Sequence, residues 1–104
     1  MQDVLVFFVP EADRDRVLNG LFEAGAGTIG DYDRCAFWSA GTGQFLPGRD
    51  ANPTIGESGQ IEMVAEYRVE VRYPRNLRDR IIATLEQHHP YEEPAYYTIE
   101  VTQE

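Results

Sequence analysis

The chain lacks lysine, has a single cysteine and contains no long hydrophobic run. All nine basic residues among the 104 are arginine, so the lysine-dependent phosphate loop of P-loop proteins is excluded. Because Cys35 has no partner within the chain, an internal disulfide is excluded and a reducing compartment is favoured. No signal segment opens the chain, and the longest apolar run, residues 4–9, is too short to span a bilayer. We therefore expect a cytoplasmic protein with no membrane association.

Basic residues are also few. Nine arginines stand against 18 aspartates and glutamates, which gives a formal net charge of −9 at pH 7. A surface this acidic repels phosphate backbones over a Debye length, so we expect no nucleic-acid partner. Cations, basic proteins and a locally arginine-lined site are compatible with this charge, although solubility alone also explains it.

What the sequence does contain is an ordered alternation of strand and helix patterns. The 104 residues have the length of a single domain, 1–104. Strand patterns occupy 3–9, 31–40, 61–73 and 96–102, and helix patterns occupy 11–24 and 76–88. The order β-α-β-β-α-β predicts an α+β, ferredoxin-like sandwich, with a four-stranded antiparallel sheet and both helices on one of its faces.

Each of these patterns also predicts a buried face. The first helix has an apolar stripe, and the second repeats apolar residues every four positions after a candidate N-cap, Asn76. In the third strand, apolar and charged residues alternate over 65–73. In the last strand the same alternation predicts Tyr97, Ile99 and Val101 on the inward face and the intervening residues on the outward face.

The segment 41–60 is rich in glycine, proline, asparagine and serine, which is typical of turns. It begins with Gly41 and Gly43, which we assign to the loop. Apolar residues within the segment favour an ordered excursion over a mobile linker. The excursion is a candidate surface on which a protein partner could dock.

The predicted sheet has more apolar surface than two helices of this length can cover. Aromatic residues make up 12% of the chain, and the first strand is apolar on both faces. Because a contiguous exposed apolar face usually marks an interface, we expect a homo-oligomer and favour a cyclic trimer. The alternative is a monomer with a thick core.

The segment HHPYEEPAY, residues 88–96, concentrates groups that bind metals. Histidine is the commonest transition-metal ligand, and a glutamate can complete a site. Adjacent residues point in different directions, so one member of each pair would bind together with a residue from elsewhere. The primary candidates are His89, Glu92 and Glu93, and His88 is a weaker one. The cofactor stays unknown, with zinc or copper as the candidate divalent ion.

The same segment has a purely structural interpretation. Pro90 and Pro94 would fix a turn at the helix exit, and Tyr91 would pack into it as a plug. Cys35 is likewise either a small buried residue within the second strand or a metal ligand, if it converges with His89 in space. The residue types alone do not decide between these alternatives.

Candidate catalytic groups are weak by comparison. Asp31 and Asp33 flank Tyr32 and would share one face of a strand, and a solvated strand end is the favoured explanation for them. Cys35 has no base beside it in sequence that would activate it as a nucleophile. We therefore expect a chain that is not an enzyme.

Three segments together resemble a known family. They are GAGTIGDYDRCAFWSAGTGQFLPG (25–48), NPTIGESGQIEMVAEYRVE (52–70) and HPYEEPAY (89–96). They resemble the PII/CutA-like domain that is inserted in Nif-three-like proteins and that also occurs alone in small YqfO-type proteins. The likeness covers nearly the whole chain. It implies the ferredoxin-like fold and favours the trimer.

The resemblance also limits what can be carried over. It implies that the two-metal site of full-length Nif-three-like proteins lies in flanking domains, so their hydrolase or GTP cyclohydrolase activity is not expected here. CutA proteins are associated with divalent metals, copper especially. The leading hypothesis is a non-enzymatic, trimeric module that binds a metal ion or small ligand near the 88–96 turn. The alternative is a module that docks on a partner through 41–60 and has no ligand of its own.

Overall fold

The computed structural model describes residues 1–102 as one antiparallel sheet with two helices. The elements are β1 (Gln2–Pro10), α1 (Glu11–Glu23), β2 (Phe37–Phe45), β3 (Glu62–Pro74), α2 (Arg78–His88) and β4 (Tyr96–Glu100). The strand order is β2-β3-β1-β4, which confirms the predicted fold class. No helix among the described residues is long and apolar enough to cross a membrane.

β1 lies at the centre of the sheet because it is apolar on both faces. Leu5, Phe7 and Val9 belong to the core that the helices cover, and each is fully buried. Val6 points to the opposite face and is also fully buried. Strands that are buried on both faces read as continuous apolar runs, and this prediction for 3–9 is confirmed.

The first helix follows the predicted stripe closely. Val17, Leu18 and Leu21 are its buried residues. The chain leaves the helix through glycines with positive φ, and Gly27, at φ 92°, donates its amide to the Arg72 carbonyl at 2.7 Å. A Cβ at this position would come within 2.6 Å of the Phe22 ring. The close approach and the positive φ together explain glycine here.

The second helix begins later than its sequence suggests. One 3-10 turn, Arg75–Leu77, precedes α2, and no side chain caps either element. The predicted N-cap role of Asn76 is therefore wrong, because this residue lies inside the 3-10 turn. The buried residues of α2 are Ile81 and Leu85, and the helix ends at His88 as predicted.

The second strand begins six residues later than predicted and ends five residues later. The long β3 offers pairing partners as far as Glu62, so β2 runs from Phe37 to Phe45. Gly41 and Gly43 therefore lie within β2, and their assignment to the loop is wrong. Cys35 lies before the strand, in the segment that follows α1, and not in mid-strand as predicted.

The faces of β4 are the reverse of the prediction. Tyr97 pairs with Val6 and Ile99 pairs with Val4, so both tyrosine and isoleucine lie on the face without helices. Each is 43% exposed. Tyr96 lies on the other face and packs against the core. Period-two alternation identifies two faces but does not say which of them the helices cover.

Candidate functional site

A cavity of about 320 Å³ lies between the excursion after β2 and the turn that joins α2 to β4. We call it the turn cavity. It is lined by Phe8, residues 44–48, Ala51, residues 53–55, Glu66, residues 91–93 and Ala95. Most of these side chains are apolar, and they come from four separate parts of the chain. Ligand pockets in proteins begin at about this volume and usually combine apolar walls with a few polar groups.

Hydrogen bonds hold the excursion against the turn. The Asn52 amide donates to Glu92 Oε2 at 3.0 Å, and Thr54 Oγ1 donates to the Pro90 carbonyl at 2.8 Å. The Gly59 amide donates to the Pro47 carbonyl at 2.8 Å and so closes the base of the excursion. The expectation of an ordered excursion agrees with this folded-back geometry.

Every charged side chain that lines the turn cavity is a glutamate. Glu92 and Glu93 come from the turn, and Glu66 comes from β3. The Glu66 carboxylate lies over Gly43, where a Cβ would clash with it. Burial raises the pKa of Glu66 above its ordinary value. The cavity therefore has negative charge at its wall and no arginine among its lining residues.

Tyr91 lines the cavity and lies near two other rings. Its ring lies 6.3 Å from that of Phe45 and 5.0 Å from the His89 imidazole, between centroids. Burial, with the nearby Glu66 carboxylate as a further cause, raises the pKa of Tyr91 to about 12. The hydroxyl is buried, and by distance and angle it makes no hydrogen bond among residues 1–102, Glu66 included.

His89 has both ring nitrogens occupied. Nε2 lies 2.6 Å from the Phe8 carbonyl and donates to it, while Nδ1 accepts the Tyr91 amide at 3.1 Å. The imidazole is therefore a neutral ring in one tautomer, and it is 6% exposed. Burial lowers its pKa below the ordinary value. With no free lone pair, His89 positions the turn rather than offering a metal ligand from within this chain.

The other candidate ligands lie apart from the turn cavity. His88 Nδ1 donates to the Thr84 carbonyl at 2.9 Å, and its ring lies over Gly20 of α1. Cys35 lines a separate shallow hollow with Phe37 and Arg72. Among the described residues, no three histidine, cysteine, aspartate or glutamate side chains are placed to hold a metal ion. The structure thus brings Glu92 and Glu93 together and leaves Cys35 and His88 elsewhere.

Sequence reasoning missed Glu66 and Phe45 as members of this site. Glu66 belongs to the charged face of an alternating strand, which is the usual pattern of a solvated surface. The available signal was the glycine at position 43, two residues from Phe45, because a strand glycine often marks a close approach by another group. That approach is made here by the Glu66 carboxylate.

The face of the sheet without helices is the second functional candidate, and we call it the open face. It carries a row of charged residues from β3, with an ion pair of 3.4 Å between Arg68 and Glu70. Large apolar side chains flank this row, and Phe37, Tyr97 and Ile99 are exposed. Other residues among 1–102 cover them only in part.

Comparison with solved structures identifies the class of fold. The chain aligns with CutA of Archaeoglobus fulgidus, a periplasmic divalent cation tolerance protein, with a TM-score of 0.72 at 16% identity over 100% of this chain and 87% of that one. The PII-like protein CutA of Nostoc aligns with a TM-score of 0.68 at 16% identity, over 95% and 80% of the two chains. The protein has the CutA/PII-like ferredoxin-like fold, as predicted.

Sequence relatives narrow the assignment. No family model matches the chain. A GTP cyclohydrolase 1 type 2 homolog of Mycobacterium tuberculosis is 49% identical over 94 residues, and that of Bacillus subtilis is 43% identical over 100. A Bacillus cereus protein related to NIF3 aligns with a TM-score of 0.82 at 38% identity, over 98% of this chain and 26% of that one. The resemblance to the PII/CutA-like segment of Nif-three-like proteins is confirmed.

The coverage of these relatives matters for activity. The match spans 90% of this chain but 25% of the M. tuberculosis protein, and 94% against 27% for B. subtilis. The expectation that the chain is not an enzyme is nonetheless corrected, because its curated relatives carry the name of an enzyme's homolog. That name belongs to proteins of which this chain spans only about a quarter. Their activity is therefore not established for this chain.

Proposed function

We propose that the chain is a homo-oligomeric binding module whose ligand site is the turn cavity. The observation that carries this proposal is the cavity itself, which has apolar walls, three glutamates and a buried tyrosine hydroxyl without a partner. Glu92 and Glu93 contact the ligand, while His89, Pro90 and Pro94 position the turn. A single domain over 1–104 and a cytoplasmic location form part of the same proposal.

The ligand is a small molecule rather than a bare metal ion. Glu92 already accepts the Asn52 amide at 3.0 Å, and His89 uses both nitrogens within the protein. A zinc or copper ion at the turn would therefore need ligands from a second copy. A small molecule instead uses the apolar walls, which supply most of the binding free energy in sites of this kind.

Amide NMR spectra recorded with a small-molecule fragment panel, and separately with zinc and copper, test the cavity as the site. We expect at least one fragment to shift the amides of Phe45, Ile55 and Glu92. The Ala95→Trp variant, which fills the cavity from an exposed position, should abolish those shifts. Fragment shifts confined to the Cys35 hollow would contradict the proposal. If zinc or copper shifts the Glu92 amide but not the amides of the aromatic lining residues, the ligand is a metal ion and not a small molecule.

The oligomer forms through the open face, and a trimer is the favoured state. Tyr97 and Ile99 are each 43% exposed there, and the alternating Arg68 and Glu70 let a second copy pair with opposite charge. Exposed apolar surface of this kind is usually an interface. This proposal commits the open face to further copies of the same chain.

We expect the Tyr97→Asp variant to dissociate, because each copy would bury an unpaired carboxylate at the interface. Analytical ultracentrifugation should give three times the chain mass for the wild type and the single-chain mass for the variant. Tyr32→Asp is the matched control, since Tyr32 is 75% exposed and lies outside the four strands. A wild type that sediments as a monomer, or a Tyr97→Asp variant that stays assembled, would contradict this assignment.

Docking of a protein partner through the excursion is the second candidate. Leu46 follows β2, and Ile61 and Met63 flank the first residue of β3; all three are exposed apolar side chains. Capture of a partner by the wild type that is lost in Ile61→Asp, with the cavity shifts unchanged, would favour this candidate over the ligand site.

A further inference from the structure

The charged residues of the turn cavity are all acidic, which limits the charge that its ligand can carry. This inference rests on the proposed function. Three of its lining residues are glutamates, and none is an arginine or a histidine. A ligand that carries phosphate or carboxylate would place its charge beside like charges, which is costly in a half-buried site. Cationic and neutral molecules remain as candidate ligands.

The buried polar groups favour a cation that donates several hydrogen bonds. The Tyr91 hydroxyl is buried and makes no hydrogen bond among the described residues. Beside it, the Glu66 carboxylate is held in the wall over Gly43. A carboxylate can accept from an ammonium group, which has three N–H donors. Charge-assisted hydrogen bonds of this type are the stronger ones in proteins.

The apolar walls of the cavity determine the size and the apolar character of the rest of the ligand. Phe8, Phe45 and Ile55 are among the apolar residues that face the cavity. Its volume of about 320 Å³ is about that of ten water molecules at roughly 30 Å³ each. A compact apolar group of one ring or one branched chain fits this space, and aromatic rings also attract a cation.

We propose that the turn cavity binds a primary amine with a small apolar body, its ammonium group against the Glu66 carboxylate. The geometry assigns Glu66 as the deep acceptor, because its carboxylate lies between Gly43 and the cavity. Glu92 and Glu93 are exposed and attract the amine at the entrance. Their contribution weakens with added salt, as expected for exposed charges.

Three probes of one shape test the class of ligand: benzylamine, benzyl alcohol and benzoate, which differ in charge. We expect benzylamine to shift the amides of Phe45, Ile55 and Glu92 with an affinity about ten-fold or more above that of benzyl alcohol. Benzoate should leave these amides unchanged. The Glu66→Gln variant should reduce the benzylamine affinity about ten-fold and leave benzyl alcohol unaffected.

A pair of glycines in β2 provides a matched control that keeps every charge. A Cβ at Gly43 would clash with the Glu66 carboxylate, whereas a Cβ at Gly41 meets nothing within 4 Å. Gly43→Ala should therefore weaken benzylamine binding by displacing the carboxylate, and Gly41→Ala should not. A structural effect of alanine in the strand would affect both variants alike.

The outcomes separate this inference from the proposed function. If benzyl alcohol or benzoate shifts the cavity amides as strongly as benzylamine, the amine class is wrong and the cavity remains the ligand site. The same holds if a different fragment binds there and benzylamine does not. If no probe or fragment reaches the cavity, both the amine class and the ligand site are wrong.

Discussion

We expect the Arg75→Gln variant to melt about 10 °C or more below the wild type. Arg75 Nε and Nη2 donate to the two carboxylate oxygens of Asp3 at 2.8 and 2.7 Å. Asp3 is 3% exposed, and its only other hydrogen bond among the described residues is from the Val101 amide at 3.2 Å. Removal of the guanidinium leaves a buried carboxylate without a counter-charge, which is strongly destabilising. Differential scanning calorimetry measures the loss.

Two variants show whether the loss comes from this ion pair. Arg78→Gln removes an arginine whose guanidinium lies 3.9 Å from an exposed aspartate, and such a surface pair contributes little. The double variant Asp3→Asn/Arg75→Gln removes both charges and should recover part of the lost stability. If Arg75→Gln melts no lower than Arg78→Gln, the ion pair between Asp3 and Arg75 does not stabilise the fold as we infer.

The pH dependence of the same pair has a definite sign. The hydrogen bond from Arg75 holds the pKa of Asp3 below its ordinary value of 3.8. The stability that the pair contributes is therefore present above about pH 4 and is lost as the pH falls through the native pKa. The difference in melting temperature between the wild type and Arg75→Gln should narrow as the solution is acidified below that point.

The fold was predictable because its main signals are local and consistent. A short run that is apolar on both faces became the central strand, and the alternation in β3 placed Val69, Val71 and Tyr73 in the core. The errors arose where tertiary pairing decided the outcome. Gly41 and Gly43 read as turn residues, yet β3 extends far enough to pair with them. The faces of β4 depended on its register with β1.

The candidate site was predictable only in part, for a different physical reason. The 88–96 turn stood out because its residue types bind metals, and Glu92 and Glu93 do line a cavity. The sequence did not show that the Phe8 carbonyl and the Tyr91 amide occupy the His89 imidazole. Those partners are backbone groups, which no side-chain pattern specifies. Glu66 was missed because its role depends on the strand that lies beside it.

We expect the stability of the protein to fall as the pH drops below about 6.5, in a way that depends on His89. Burial lowers the pKa of His89 below its ordinary value of 6.5, with partial compensation from the Phe8 carbonyl. The unfolded chain therefore takes up a proton at a higher pH than the folded chain. This contribution is complete above about pH 6.5 and is lost as the pH falls towards the native pKa, with about 1.4 kcal/mol for each pKa unit.

The His89→Gln variant separates this contribution from those of the carboxylates. Glutamine can donate and accept but does not titrate, so the melting temperature of the variant should depend less on pH over this range. His88→Gln is the matched control, because it removes the neighbouring imidazole without touching the bridge between Phe8 and Tyr91. Protonation of His89 also removes the acceptor for the Tyr91 amide, so the protection factor of that amide against hydrogen exchange should fall in acid in the wild type. Equal pH profiles for the wild type and His89→Gln, with an unchanged Tyr91 protection factor, would mean that His89 does not hold the turn through its neutral form.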